Sequence, residues 1–79
     1  MTAMTIELVK ILEAAQDAYE ESQRLFEQIE NETDDGYAST LWAMSCDYDG
    51  ICTGYLGAYN ILTGRDIPAR AIKNELAKA

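Results

Sequence analysis

Apolar residues recur at steps of three and four along the first third of the chain, beginning just after Thr5. On an α-helix this spacing gathers the side chains on one face, and the opposite face of the same segment carries mostly carboxylates. The pattern therefore predicts an amphipathic helix over about residues 5–31. Its apolar positions are Leu8, Ile11, Leu12, Ala15, Ala18, Tyr19, Leu25, Phe26 and Ile29.

A turn and a second apolar repeat follow. Residues 32–36 lie within the sequence NETDDG, and either Asp34 or Asp35 can cap the next helix. The second repeat predicts a helix over about residues 37–62, with an apolar face broader than a two-helix seam requires. Its central positions are Ala38, Leu41, Ser45, Tyr48, Cys52, Tyr55, Tyr59 and Leu62, flanked by Tyr37, Met44, Ile51 and Ala58 on one side and by Trp42 and Leu56 on the other.

A short third helix is predicted over about residues 67–78. Thr63 and Gly64 end the second helix, and Pro68 is tolerated in the first turn of a new one. The predicted fold class is therefore all-α, with a long antiparallel helical hairpin plus a short C-terminal helix. Residues 1–79 are expected to form a single helical domain.

Three glycines occupy the second helix, although each costs about 1 kcal/mol of helix stability relative to alanine. At 100° per residue, Gly50, Gly54 and Gly57 fall with Ala43 on the face opposite the apolar repeat. Small side chains let another helix approach closely, so we interpret these four residues as a row for close helix–helix packing. A kink at residues 47–50 is the alternative, and the unbroken apolar period favours a continuous helix.

A chain of 79 residues forms a domain of marginal stability. Two helices, each roughly 40 Å long, would leave half of their broad apolar faces uncovered, and the short third helix would cover only part of the remainder. Pairing of two hairpins into a four-helix bundle would bury the rest. We therefore predict a homodimer, with a compact three-helix monomer as the alternative.

Aromatic residues are concentrated on the second helix. Tyrosine and tryptophan are enriched at binding hot spots, but an aromatic stripe at helical spacing is more often part of a core. We predict core positions for Trp42, Tyr48 and Tyr55. Tyr37, beside the acidic turn, is expected to be exposed.

Acidic residues outnumber basic ones by 14 to 6, which gives a formal net charge of −8. Direct binding to nucleic acid is not expected, because it needs clustered Lys and Arg. Glu20 and Arg24 are favourably spaced at i,i+4, but Glu13, Asp17 and Glu21 stack like charges at that spacing, which destabilises a helix. Either a binding surface or a solvated surface would account for them. The predicted partner-binding residues are Glu13, Asp17, Glu20, Glu21, Glu27, Asp34 and Asp35, together with Tyr37.

Groups that commonly carry catalysis or bind metals are scarce. The chain has no histidine, the commonest general base and a frequent metal ligand. Ser45, Asp47 and Asp49 imitate the start of a calcium loop, but Leu56 stands where that loop needs a bidentate glutamate. We therefore expect that the protein is not an enzyme and that it binds no cofactor and no metal ion.

Cys46 and Cys52 lie too far apart along a helix to form a disulfide, so both are expected to be reduced thiols. No signal peptide and no run of eighteen apolar residues is recognisable. The sequence therefore predicts a cytoplasmic protein that does not enter a membrane.

Two functions are compatible with this sequence. In the first, the acidic residues cover the basic surface of a nucleic-acid-binding protein, so that carboxylates stand where phosphates would bind. In size, charge and helical content the chain is similar to the small proteins with which phages disarm host nucleases, including anti-CRISPR and anti-restriction proteins. That likeness implies a non-catalytic, DNA-mimic-like inhibitor or modulator; no motif identifies a particular family. The alternative is a structural or adaptor protein, a helical-bundle dimer that scaffolds a protein assembly.

Overall fold

Two long antiparallel helices and a short C-terminal helix form the fold, as predicted. The computed structural model describes residues 5–78. Helix α1 spans Ile6–Asn31 and α2 spans Asp35–Thr63; a 3₁₀ turn at Ala69–Ala71 leads directly into α3 at Ile72–Ala77. The molecule is a rod that measures 51 × 19 × 18 Å. We call the end that holds residues 32–34 the turn end, and the other end, where residues 65–78 pack, the capped end.

Local signals set where the helices begin and end. The Thr5 side chain accepts a hydrogen bond from the Leu8 amide at 3.2 Å, and Asp34 does the same for Tyr37 at 3.0 Å. These bonds satisfy amides that lack a partner in the first turn of a helix. Gly64 ends α2 in the left-handed conformation, with φ of 69°. Between these points α2 is continuous, so the alternative of a kink at residues 47–50 is wrong.

The third helix begins later than the sequence predicts. Pro68 adopts an extended conformation with ψ of 163°, and the α-helix starts only at Ile72. The side-chain amide of Asn60 holds the preceding segment extended, because it donates to the Ile67 carbonyl at 3.2 Å and accepts from the Ile67 amide at 3.1 Å. The predicted start near residue 67 is therefore wrong, since this bridge ties residue 67 to the side of α2.

The main hydrophobic cluster lies toward the capped end, where three elements meet. Ile67 and Ile72 from the C-terminal segment complete a layer that α1 and α2 begin. Toward the turn end only two helices are available, and fewer large side chains are buried there. The buried members of the cluster are Leu12, Ala15, Ala18, Cys52, Leu56, Tyr59, Ile67 and Ile72.

Several residues of the apolar face predicted for α2 are exposed. Trp42 is 57% exposed, Tyr55 44% and Leu62 66%, whereas Leu56 and Tyr59 are buried. The core predictions for Trp42 and Tyr55 are therefore wrong. The apolar surface of α2 is broader than the strip that α1 covers, and the sequence pattern does not show which edge α1 takes.

Candidate interaction surfaces

Five of the seven acidic residues of α1 form a line along its outer side, which we call the acidic ridge: Glu13, Asp17, Glu20, Glu21 and Glu27. All are exposed except Glu21, which is partly buried. At 100° and 1.5 Å per residue, Glu13, Asp17, Glu20 and Glu27 lie within about a quarter of the helix circumference, and the ridge is roughly 21 Å long. α1 therefore presents an anionic strip to solvent.

Arg24 interrupts the ridge and pairs with Glu21. Its guanidinium forms an ion pair with the Glu21 carboxylate and donates from Nε at 3.1 Å. This hydrogen bond lowers the pKa of Glu21 and raises that of Arg24. The i,i+4 pairing of Arg24 with Glu20 that the sequence indicates does not form; Glu20 instead accepts from Gln16 at 2.9 Å. Glu21 is thus the ridge carboxylate least available to a partner.

The two acidic residues of the turn also serve the structure of the hairpin. Asp34 caps α2, and its own amide donates to the Glu32 side chain at 2.9 Å. Asp35 lies in the first turn of α2, where a negative charge favours the helix. Both side chains are exposed beside Tyr37, so these residues are also accessible to a partner.

The glycine row of α2 contacts no other part of the described chain. A Cβ added at Gly50, Gly54 or Gly57 would meet nothing within 4 Å. Ala43 is exposed, and Ile61, on the same side of α2, is 83% exposed. The row therefore does not pack α2 against α1, and close helix packing there would require a second molecule.

A second apolar strip on α2, which we call the α2 seam, faces solvent beside the strip that α1 covers. Ile51 is 47% exposed and Tyr55 44%, while Tyr48 is partly buried. Ala14, Asp17, Ala18 and Glu21 of α1 form the opposite wall of a shallow groove along Tyr48 and Ile51. The seam consists of Tyr37, Met44, Tyr48, Ile51, Tyr55 and Leu62. In the sequence, the seam is visible as a seven-residue repeat that links Tyr37, Met44 and Ile51.

At the capped end, Glu75 is a buried carboxylate, which the sequence pattern does not predict. It accepts hydrogen bonds from Tyr59 at 3.4 Å and from Arg65 at 2.8 Å, and Lys78 lies 3.5 Å away. Burial raises the pKa of the Tyr59 hydroxyl, and the nearby Glu75 charge adds to that shift. The basic C-terminal segment therefore folds back against α2 of its own chain, where Glu75 contacts Tyr59.

Both cysteines lie on α2, in the part of the chain that the structure describes. Cys46 is exposed and Cys52 is buried; both are free thiols, and burial raises the pKa of Cys52. Between residues 5 and 78, no group of three His, Cys, Asp or Glu side chains is placed to hold a metal ion. No helix in that range is long and apolar enough to cross a membrane.

Comparisons with known proteins identify no relative of this chain. No protein-family model matches the chain, and no match is found among curated proteins or among solved structures.

Proposed function

We propose that this protein is a non-catalytic cytoplasmic inhibitor or modulator that binds the basic surface of a nucleic-acid-binding protein through its acidic ridge and turn. The exposure of the ridge is the observation that carries the proposal. Within residues 5–78, Arg24 is the only cation in an ion pair with a ridge carboxylate. The other ridge charges are free to meet the Lys and Arg side chains of a partner.

The spacing of these charges supports a role as a phosphate substitute. Five carboxylates over roughly 21 Å lie about 5 Å apart along the helix. Phosphates of one strand of duplex DNA follow one another about every 3.4 Å along the helix axis. Per unit of axial length the ridge therefore carries fewer charges than a DNA strand, but it suits a row of basic side chains that otherwise contacts phosphates. Such binding blocks access by occupying the surface and weakens as salt rises.

A pull-down with the tagged protein, from a lysate of its source or host at low salt, tests the proposal. We expect the protein to retain a nuclease or another nucleic-acid-binding protein. Both duplex DNA and high salt should release it, because DNA competes for the same basic surface and salt screens the charges. A retained partner that is indifferent to DNA and salt would contradict occlusion by the ridge.

A pair of charge-matched variants assigns the binding to the ridge. The ridge variant carries Glu13→Gln, Asp17→Asn, Glu20→Gln and Glu27→Gln. Its control carries Glu7→Gln, Glu30→Gln, Asp47→Asn and Asp49→Asn, at exposed positions off the ridge. Each removes four charges from the net −8, so loss of binding in the ridge variant alone separates local contact from overall charge. We expect the ridge variant to bind roughly fourfold to several hundredfold more weakly, since it loses four exposed ion pairs that contribute about 0.2–1 kcal/mol each.

The exposed apolar surface of α2 supports a second candidate, a homodimer that acts as a scaffold or adaptor. In this case the acidic ridge keeps the protein soluble and the function resides in the contacts of α2. The ridge variant would then retain its partners, and the recovered complexes would not respond to DNA.

A further inference from the structure

The α2 seam has the spacing of a helix that packs against a second helix. Met44, Tyr48, Ile51 and Tyr55 follow one another at steps of four, three and four, and a further step of seven on each side leads to Tyr37 and Leu62. An apolar repeat of this kind fits its side chains between those of a neighbouring helix. Within residues 5–78, no third helix covers it, because α3 packs at the capped end against α1 and Tyr59.

The seam and the buried strip of α2 lie about 75° apart around the helix axis, at 100° per residue. In a four-helix bundle each helix contacts two neighbours on adjacent sides, and this angle suits that arrangement. α1 supplies one neighbour along Leu41, Ser45, Cys52 and Tyr59. The second neighbour is missing from the single chain.

The size of the exposed side is sufficient for a stable pair. One long side of a rod that measures 51 by 18 Å covers on the order of 900 Å². A standard protein interface takes about 800 Å² from each partner. One helical hairpin packed along the whole of this side, of which the seam is the α2 part, would therefore bury an area of standard size.

The charges at the two ends of the rod identify the partner and its direction. Residues 25–40, at the turn end, contain acidic residues and no basic ones: Glu27, Glu30, Glu32, Asp34 and Asp35. The capped end carries five basic residues against three acidic ones. These bases are Lys10, Arg65, Arg70, Lys73 and Lys78, and the acids are Glu7, Asp66 and Glu75.

A second copy laid antiparallel places the acidic turn end of each chain beside the basic capped end of the other. A parallel pair would instead set the two acidic turn ends side by side, which is repulsive. The antiparallel arrangement has twofold symmetry, the commonest symmetry of protein oligomers. Tyr48 then lies opposite Ile51 of the second copy, and Met44 opposite Tyr55.

We infer that the α2 seam binds the α2 seam of a second copy of this chain in the antiparallel direction. The inference rests on the homodimer named above as part of the second candidate function, and it specifies the face and the direction. The seam itself contains no ridge residue, but Asp17 and Glu21 of the ridge line the groove beside Tyr48 and Ile51, so a second copy would border that edge of the ridge.

Sedimentation equilibrium of the purified protein with two matched variants tests the face. Ile51→Glu places a charge in the seam, whereas Ile61→Glu makes the same change on the glycine-row side of α2. Both side chains are exposed in the single chain, so both variants should fold, which circular dichroism checks. We expect a dimer for the parent protein and for Ile61→Glu. The dissociation constant of Ile51→Glu should rise about a hundredfold or more, because both copies lose a central contact.

A parent protein that stays monomeric at every concentration overturns the inference. A dimer that Ile61→Glu dissociates and Ile51→Glu leaves intact also overturns it, and would place the contact on the glycine row. Because these measurements use the protein without any partner, their failure is distinct from failure of the ridge to bind a basic protein.

Thiol cross-linking tests the direction. In a Cys46→Ser background, differently tagged Met44→Cys and Tyr55→Cys variants are mixed and treated with a short bis-maleimide. The antiparallel pair should join the two variants to each other. Trp42→Cys, on the opposite flank of α2, serves as the control and should give no product. Cross-links of Met44→Cys only to itself would indicate a parallel pair and overturn the stated direction.

Discussion

The two ends of the rod differ in how completely the chain covers its own apolar surface. At the capped end, Ile67 and Ile72 add a third layer to the hairpin, and the cluster there includes the large Tyr59 side chain. Nearer the turn end, Ser22 and Ser45 face each other in the buried layer with their hydroxyl oxygens 3.5 Å apart. There the structure places no third element over the hairpin.

This difference shows where the single chain closes its own hydrophobic core. A hairpin of two helices leaves an open side along its whole length, and a segment of about 14 residues closes that side only where it packs. Met44 and Ile51 lie beyond its reach on α2, and Ile61 and Leu62 at the capped end stay exposed on sides of α2 that it does not cover. We expect stability to depend mainly on the capped end and association to depend on the open side of α2.

The largest expected effect is the loss of stability when a buried side chain of the capped end is shortened. Ile72→Ala removes a completely buried side chain and should lower the free energy of unfolding by about 2–5 kcal/mol. For a domain of this size that corresponds to a fall in Tm of roughly 10–30 °C in thermal circular dichroism. The matched control is Ile61→Ala, whose side chain is 83% exposed and whose Tm should barely change. Equal, small effects of the two changes would mean that α3 does not belong to the cooperative unit.

A smaller effect is expected from the buried carboxylate at the same end. Glu75→Gln keeps the shape of the side chain but removes the charge that Arg65 and Tyr59 contact. We expect a loss of about 1–2 kcal/mol in urea unfolding, since hydrogen bonds to charged groups are stronger than neutral ones and Arg65 remains half exposed. Asp66→Asn, at an exposed carboxylate that lies outside the helices at the same end of the rod, is the control and should be neutral. No difference between the two variants would rule out a stabilising role for the Glu75 charge.

Substitution of the glycines should show which side of α2 is open in the single chain. Gly54→Ala should raise the free energy of unfolding by about 1 kcal/mol, because the added methyl group meets nothing and alanine favours the helix. Gly64→Ala should lower it by a similar amount, because Gly64 has a positive φ that alanine adopts only with strain. Urea unfolding of both variants at low protein concentration measures the contrast. A destabilising Gly54→Ala would show that the glycine row is packed.

The smallest effect concerns alkaline pH. The pKa of Tyr59 is raised in the folded chain, so above about pH 10 the unfolded chain loses this proton before the folded chain does. Stability from this group is therefore complete below pH 10 and declines as the pH rises toward the folded pKa. The raised pKa of buried Cys52 acts in the same direction from a lower starting pH. Unfolding free energies measured from pH 8 to 11 should fall less steeply in Tyr59→Phe and in Cys52→Ala, each compared with its own value at pH 8.

The sequence was sufficient to predict the hairpin because its signals are local. The apolar periods, the Asp34 cap and the Gly64 stop each depend on neighbours within a few residues. The choice between Tyr55 and Leu56 for the core was not local, since it depends on which edge of a broad apolar face α1 covers. The burial of Glu75 could not be predicted either, because its partner Tyr59 lies sixteen positions away along the chain.

The uneven charge of the rod also makes a single chain an electric dipole along its long axis. In the field of a basic surface, within about one Debye length of roughly 10 Å at 0.1 M salt, such a molecule turns so that residues 32–34 arrive first. Two antiparallel copies cancel this axial dipole by symmetry and would approach the same surface broadside, with no preferred end. Pairing would thus change the orientation in which the protein meets a target, and it would also bring the second copy beside Asp17 and Glu21 at the edge of the ridge.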